Sequence, residues 1–154
     1  MKVLMYMATE MKHLCKGEGK ADLILEAVTN GRRVPRHYIM AAEDITRARM
    51  ELLGIIKALE RFNTVCEIDI YTDSEVIADV VNHGHLERWE RNGYVTKNWK
   101  PVKNADLWQQ LVKYLSMYEI NIIYKKDTEY YALQKSTLKN AEKGAYSFRE
   151  VREN

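Results

Sequence analysis

The stretch from Thr46 to Asp73, TRARMELLGIIKALERFNTVCEIDIYTD, constrains the fold more than any other part of the sequence. Apolar residues recur at helical spacing from Met50 to Phe62, which predicts one amphipathic helix with Thr46 as its N-cap. The segment 66–71 then predicts a buried strand that ends just before Asp73. When a strand precedes such a helix, the order favours a crossover connection and parallel pairing of the two strands.

The rest of the chain predicts a mixed sheet that carries several helices. The dipeptide Asn30-Gly31 indicates a tight hairpin between two strands that precede the long helix. Short helices are expected between Ser74 and Met117, and a terminal helix is expected from Ala132 to Lys143. The expected strands cover 2–7, 23–28, 33–40, 66–71 and 120–125. We therefore expect one domain over residues 1–144, followed by a frayed, charged C-terminal tail over 145–154.

Composition excludes several classes of protein. The chain has 154 residues, of which 46% are hydrophobic and 30% charged, a balance typical of one globular domain. The net charge of +2 does not by itself indicate a nucleic-acid-binding protein. Cys15 and Cys66 lack the spacing of a zinc site or a disulfide framework, which favours free thiols and a cytoplasmic location. No apolar run approaches the roughly 20 residues that span a bilayer, so no membrane partner is expected.

Two carboxylates occupy positions that would meet in such a fold. Glu51 lies in the first turns of the long helix, and Asp73 follows the buried strand. A helix start and a strand end can come together, and two carboxylates there could bind a cation. Two plainer interpretations remain open. Glu51 could pair with Arg47 on the helix surface, and Asp73 could cap the next helix.

Residues around these carboxylates resemble the type 1 ribonuclease H family. The family carries R-M-E-L on a helix and T-D-S after a strand, which here are Arg49-Met50-Glu51-Leu52 and Thr72-Asp73-Ser74. The resemblance implies an α/β fold, with a mixed five-stranded sheet and helices on both faces. It also implies endonucleolytic cleavage of the RNA strand of RNA–DNA hybrids, with two divalent cations, Mg²⁺ or Mn²⁺, held by four carboxylates.

The resemblance assigns catalytic and metal-binding roles to Glu51, Asp73 and Glu10. Glu10 falls in register with the family's first aspartate, although it adds a methylene and lacks the usual following glycine. The fourth aspartate aligns with Ser136, which is a poor Mg²⁺ ligand. Asp127 and Glu129 remain possible substitutes for it.

The segment from His85 to Leu111 resembles the basic protrusion of many bacterial ribonucleases H. The matching motifs are W-x-x-x-G-aromatic from Trp89 to Tyr94, K-P-V-K-N over 100–104 and D-L-W over 106–108. The resemblance implies that this segment binds the hybrid. The residues assigned to nucleic-acid binding are Arg88, Trp89, Arg91, Lys97, Lys100, Lys103 and Asn104.

Two functions follow from the resemblance. In the first, the protein acts on RNA–DNA hybrids and cleaves the RNA strand weakly, because its carboxylate set is incomplete. In the alternative, it is a catalytically silent module that binds a hybrid or another nucleic-acid duplex. The sequence does not indicate an oligomeric state.

Overall fold

A computed structural model describes residues 1–151 and contains one mixed sheet with helices on both of its faces. The strands are β1 (Lys2–Met11), β2 (Lys16–Thr29), β3 (Arg32–Thr46), β4 (Glu67–Thr72), β5 (Glu119–Tyr124) and β6 (Tyr146–Glu150). The helices are α1 (Arg47–Leu59), α2 (Glu75–Asn82), α3 (His85–Arg91), α4 (Ala105–Met117) and α5 (Tyr131–Asn140). None of these helices is long and apolar enough to cross a membrane.

The strand order across the sheet is β5-β4-β1-β2-β3-β6. Strands β1, β2 and β3 form an antiparallel meander, and β6 pairs antiparallel with β3. Strand β4 pairs parallel with β1 and with β5. The crossover through α1 therefore does not lead to direct pairing of β3 with β4 as expected, because β1 and β2 lie between these two strands in the sheet. The parallel register Met7↔Thr72 places the ends of β1 and β4 side by side, so residues that follow these strands become neighbours.

Helix α1 packs closely on the central strands. It begins as predicted, because the Thr46 side chain accepts a hydrogen bond from the Arg49 amide at 3.3 Å. Its closest approach is at Gly54, where an added Cβ would lie 3.2 Å from the Ala21 side chain and 3.4 Å from Met7 Sδ. A Cβ at this position would require its neighbours to move by a few tenths of an ångström, so glycine allows the closest approach of α1 to the strands.

The two faces of the sheet carry different helices because strand side chains alternate. Helices α1, α2 and α4 cover one face and bury the main core, which includes Leu59, Ile68 and Leu111. Helix α5 covers the other face, where Leu138 packs on Ala8 and Ile39. Helices on both faces were expected, and the ribonuclease H-like arrangement is confirmed.

The sheet has six strands rather than the expected five. The added strand β6 lies in the segment predicted to be a frayed, charged tail over 145–154. Its Phe148 ring stacks on Tyr38 of β3 with centroids 4.6 Å apart, which anchors a strand that is otherwise largely polar. Residues 146–150 therefore belong to the sheet, and residues 152–154 of the predicted tail lie outside the described residues.

Candidate active site and nucleic-acid interface

Glu51 and Asp73 come together around Thr9 at the end of β1. The Thr9 hydroxyl oxygen lies 3.5 Å from both Glu51 Oε1 and Asp73 Oδ1, and the Thr9 amide donates a hydrogen bond to Asp73 Oδ2 at 3.2 Å. Ser74 caps α2 by accepting a hydrogen bond from the Ile77 amide, so Asp73 is not needed as the cap. The α1 start and the β4 end thus meet as the sequence indicates.

Burial shapes the electrostatics of this pair. Glu51 is only 3% exposed, and loss of solvation raises the pKa of its carboxyl, with the charge of Asp73 adding to the rise. Burial also raises the pKa of Asp73, against the lowering effects of the Thr9 amide and of nearby basic side chains. Burial thus disfavours the ionised form of both carboxylates, and a cation placed beside them would stabilise that form.

Thr9, and not Glu10, faces the carboxylate pair. Adjacent side chains in a strand point to opposite faces, so the residue next to Thr9 turns toward the α5 face. Glu10 there lines a groove with Lys12, Glu18, Lys20 and Lys143. The structure therefore does not bring Glu10 to Glu51 and Asp73. The motif alignment selects Glu10, whereas the side chain that faces the site belongs to the preceding residue, Thr9.

Two basic side chains contact the same threonine. Arg47 Nη1 donates a hydrogen bond to Thr9 Oγ1 at 3.2 Å and lies 3.9 Å from Glu51 Oε1. Lys135 Nζ donates to the Thr9 carbonyl oxygen at 3.0 Å. The charges of Arg47, Lys135 and Lys126 all lower the pKa of Asp73. The pairing of Arg47 with Glu51 was one of the sequence interpretations, whereas the approach of Lys135 was missed.

Helix α5 presents Tyr131 and Lys135 to this site instead of Ser136. The Tyr131 hydroxyl donates to Asp73 Oδ2 at 3.5 Å, and Lys135 lies one helical turn later on the same side of the helix. Ser136, one position further, lines a groove between α5 and β6. The signal that could have found Lys135 is its four-residue spacing from Tyr131.

The two proposed substitutes for a fourth carboxylate have other partners. Asp127 lies 4.0 Å from Lys125 and its side chain is 88% exposed. Glu129 pairs with Arg33 at 2.8 Å, next to the far strand of the hairpin.

The donor set can be compared with the needs of a divalent cation. Within residues 1–151, no group of three or more His, Cys, Asp and Glu side chains could hold a metal ion. Magnesium is commonly bound by one or two carboxylates together with substrate phosphates and water. Glu51, Asp73 and the Thr9 hydroxyl therefore fit one divalent cation, and they do not fit the pair that four carboxylates would hold.

A protrusion, residues 85–104, follows α2 and consists of α3 and a long loop. The Trp89 ring packs edge-on against Trp108 of α4 with centroids 5.7 Å apart, and Trp108 is only 4% exposed. A bridge between Val95 and Pro101 closes the loop into a narrow turn. These contacts attach the protrusion to the body of the domain, and they give both Trp89 and Trp108 a packing role.

The basic residues of the protrusion face solvent. Exposed positions include Arg88, Arg91, Lys97, Lys100 and Lys103. On α3 the two arginines are offset by Glu87 and Glu90, so the excess positive charge comes from the three lysines of the loop. Trp99 lies between these lysines with 84% of its surface exposed. An exposed aromatic ring among cations is suited to nucleic-acid backbones and bases.

The base of the protrusion is attached to the carboxylate pair through α1. Asn104 ends the protrusion in a left-handed conformation with φ of 61°, and its side-chain oxygen accepts a hydrogen bond from Arg49 at 3.4 Å. Arg49 also makes two hydrogen bonds to Asp106, at 3.0 and 2.8 Å. Arg49 is two residues before Glu51, so one helix turn positions both the protrusion and a site carboxylate.

Comparison with known proteins assigns the family. The RNase H family model matches residues 11–126, which is most of the chain. This chain belongs to the ribonuclease H family. A ribonuclease H of Chlorobaculum parvum is 40% identical over 75 residues, which cover 49% of this chain and 51% of that protein. One from Brucella anthropi is 45% identical over 78 residues, covering 51% of this chain and 50% of that protein. The chain thus matches about half the length of these relatives.

Solved structures support the same fold at low sequence identity. LC9-RNase H1, described as a type 1 RNase H with the type 2 active-site motif, superposes with a TM-score of 0.73 at 20% identity, covering 88% of this chain and 69% of that one. A foamy viral protease-reverse transcriptase in complex with an RNA/DNA hybrid gives 0.69 at 16% identity, covering 91% of this chain and 19% of that one. The family generally uses divalent metal ions.

Proposed function

We propose that this chain binds RNA–DNA hybrids and cleaves their RNA strand slowly, in a reaction that depends on a divalent cation. The observation that carries the proposal is the meeting of Glu51 and Asp73 at the ends of α1 and β4. Arg49 supports it, because the contacts of this side chain with Asn104 and Asp106 connect the carboxylate pair to the protrusion. The site and the basic surface therefore serve one ligand.

The protrusion supplies sequence-independent affinity in this proposal. Lys97, Lys100 and Lys103 neutralise backbone phosphates and release their counterions. Trp99 stacks on a sugar or base, since its ring is almost fully exposed. Arg88 and Arg91 add contacts along the α3 side, while Trp89 holds α3 on Trp108. Affinity should therefore fall steeply as the salt concentration rises.

Glu51 and Asp73 hold the cation, which we propose to be Mg²⁺ or Mn²⁺. When bound, such an ion activates water and stabilises the leaving oxygen of the phosphodiester. The chain contributes a buried pair of oxygen ligands and the Thr9 hydroxyl between them. Cleavage is expected to be slow for two reasons. Thr9 stands beside the pair and provides a neutral hydroxyl where a third carboxylate would attract the cation more strongly. Lys135 approaches from α5 and brings a positive charge close to the site.

A second function, hybrid binding without cleavage, is favoured by one specific observation. Arg47 and Lys135 already provide positive charge next to the carboxylate pair, so the pair is partly neutralised in the absence of a metal ion. In this case the protein retains the family's binding surface and has lost its chemistry.

We propose a cytoplasmic location. Cys15 is exposed and Cys66 is buried, and both are free thiols, which is typical of a reducing compartment.

The deciding experiment uses an end-labelled RNA–DNA hybrid incubated with Mg²⁺ or Mn²⁺. Wild-type protein is expected to cut the RNA strand slowly, and Asp73→Asn is expected to bind the hybrid with near wild-type affinity but not to cut it. Binding by wild type without any cleavage under either cation would select the second function. Failure to bind a hybrid at low salt would exclude both.

A further inference from the structure

Two basic side chains reach the end of β1 from opposite sides of the sheet. Arg47 comes from the first turn of α1 and contacts the Thr9 hydroxyl, whereas Lys135 comes from α5 and contacts the Thr9 carbonyl. The donor atoms lie 3.2 and 3.0 Å from their acceptors on this one residue. Both cations therefore adjoin the carboxylate pair.

These cations keep unused hydrogen-bonding capacity. A guanidinium has five N–H donors and an ammonium has three. Within residues 1–151, the polar contacts of Arg47 engage only Nη1, and Lys135 makes a single hydrogen bond. The Arg47 side chain is 53% exposed, so its remaining donors are accessible to a ligand. An anionic oxygen is the ligand that suits them.

Basic side chains also compensate the charge of the carboxylates. Arg47 lies 3.9 Å from Glu51 Oε1 and Lys135 binds the Thr9 carbonyl, so two basic side chains stand beside the two carboxylates. Two bare carboxylates would repel a phosphodiester, and a ribonuclease H normally relies on metal ions to overcome that repulsion. In this chain, side chains provide the compensating charge.

We propose that Arg47 and Lys135 form a phosphate subsite that binds the backbone of the hybrid at the carboxylate pair without a divalent cation. The inference rests on the proposed hybrid binding and names the ligand of that same site. It also implies competition, because a metal ion held by Glu51, Asp73 and Thr9 would have to displace Arg47 from the Glu51 and Thr9 oxygen atoms.

The test measures hybrid affinity by fluorescence anisotropy in EDTA. The variant Arg47→Gln/Lys135→Gln should bind about tenfold more weakly than wild type, since charge-assisted hydrogen bonds to one phosphate are lost. Its slope of log affinity against log salt should decrease by about one. A matched control, Lys57→Gln/Lys113→Gln, removes the same charge from the last turn of α1 and from α4, and it should change affinity by no more than about twofold.

A second measurement adds Mg²⁺ and separates a phosphate subsite from a general charge effect. Wild type should lose affinity as Mg²⁺ screens the phosphates, whereas the Arg47→Gln/Lys135→Gln variant should regain affinity, because Glu51 and Asp73 would be free to hold the ion, which would reduce their repulsion of the backbone. The exchange variant Arg47→Lys/Lys135→Arg preserves both charges and should retain most of the EDTA affinity. Circular dichroism melts establish that each variant is folded.

The outcomes distinguish the two proposals. If the Arg47→Gln/Lys135→Gln variant binds as well as the matched control in EDTA, the phosphate subsite is refuted while hybrid binding stands. If wild type does not bind the hybrid, the proposed function and the subsite are both refuted.

Discussion

Replacing Thr9 by aspartate should convert the site into one that depends on a divalent cation for stability. The substitution places a third carboxylate where the Thr9 hydroxyl now lies 3.5 Å from an oxygen of Glu51 and 3.5 Å from an oxygen of Asp73. The substitution Thr9→Asn is the matched control, because it has nearly the same shape and no charge.

The expected cost follows from these distances. At an effective dielectric constant of about 20, two unit charges roughly 3.5 Å apart interact with about 4 to 5 kcal/mol. The new carboxylate gains two such repulsions and one comparable attraction to Arg47, whose Nη1 lies 3.2 Å from the Thr9 hydroxyl. Solvent weakens the attraction to Arg47, whose side chain is 53% exposed, whereas protonation of the new carboxyl removes most of the two repulsions and limits the cost. We expect a net loss of about 1–3 kcal/mol.

Thermal melts in EDTA and in millimolar Mg²⁺ or Mn²⁺ measure this effect. A loss of that size lowers the Tm of a domain this long by roughly 3–10 °C. A cation present at a hundred times its Kd stabilises the folded state by about 2.7 kcal/mol. The Tm of Thr9→Asp should therefore rise most of the way back to the wild-type value. Wild type and Thr9→Asn should respond far less to either ion.

Two results would refute the reasoning. Equal destabilisation of Thr9→Asp and Thr9→Asn in EDTA would mean that shape or lost hydrogen bonds, and not charge, determine the cost. A Tm of Thr9→Asp that is independent of Mg²⁺ and Mn²⁺ would mean that the three carboxylates do not form a cation site.

Two further predictions concern stability. Burial raises the pKa of Glu51, so the folded protein holds this proton to higher pH than the unfolded chain, and the free energy of unfolding falls as pH rises through the raised pKa. Glu51→Gln should therefore melt a few degrees above wild type at neutral pH, for a gain of about 1 kcal/mol, and the two curves should converge well below pH 4.5, the usual carboxyl value. A wild type that melts higher at neutral pH would contradict this. Phe148→Ala should lower the free energy of unfolding by about 2 kcal/mol in urea titrations, because a half-buried ring stacked on Tyr38 is lost. An unchanged midpoint would mean that β6 contributes nothing to stability.

Local chemistry explains which parts of the fold could be predicted from the sequence. Thr46 and Ser74 begin α1 and α2 because each side chain satisfies a nearby backbone amide, an interaction that depends only on neighbours in sequence. The proximity of Glu51 and Asp73 could be predicted from the sequence because these residues lie at a helix start and a strand end. Their meeting follows from topology and does not require side-chain detail.

The sequence predictions differ from the structure where a shift of one residue changes the direction of a side chain. Alignment with the family's first aspartate selected Glu10, but strand alternation turns that side chain to the α5 face and Thr9 to the site. On α5, a shift of one residue rotates the side chain by about 100°, which exchanges Ser136 for Lys135. Motif alignment does not determine the direction of the side chain in either case. Strand β6 was missed because its attachment depends on one ring, Phe148, that meets a strand distant in sequence.

The pairing of β6 with β3 also has a consequence for folding during synthesis. Strands β1 to β5 are synthesised first, and until β6 emerges the outer edge of β3 presents unpaired backbone groups next to Tyr38 and Ile39. An open strand edge is a template for pairing with another chain. As long as β6 is not paired, a folded β3 therefore keeps an edge that can pair with another chain, and docking of this short polar strand covers that edge.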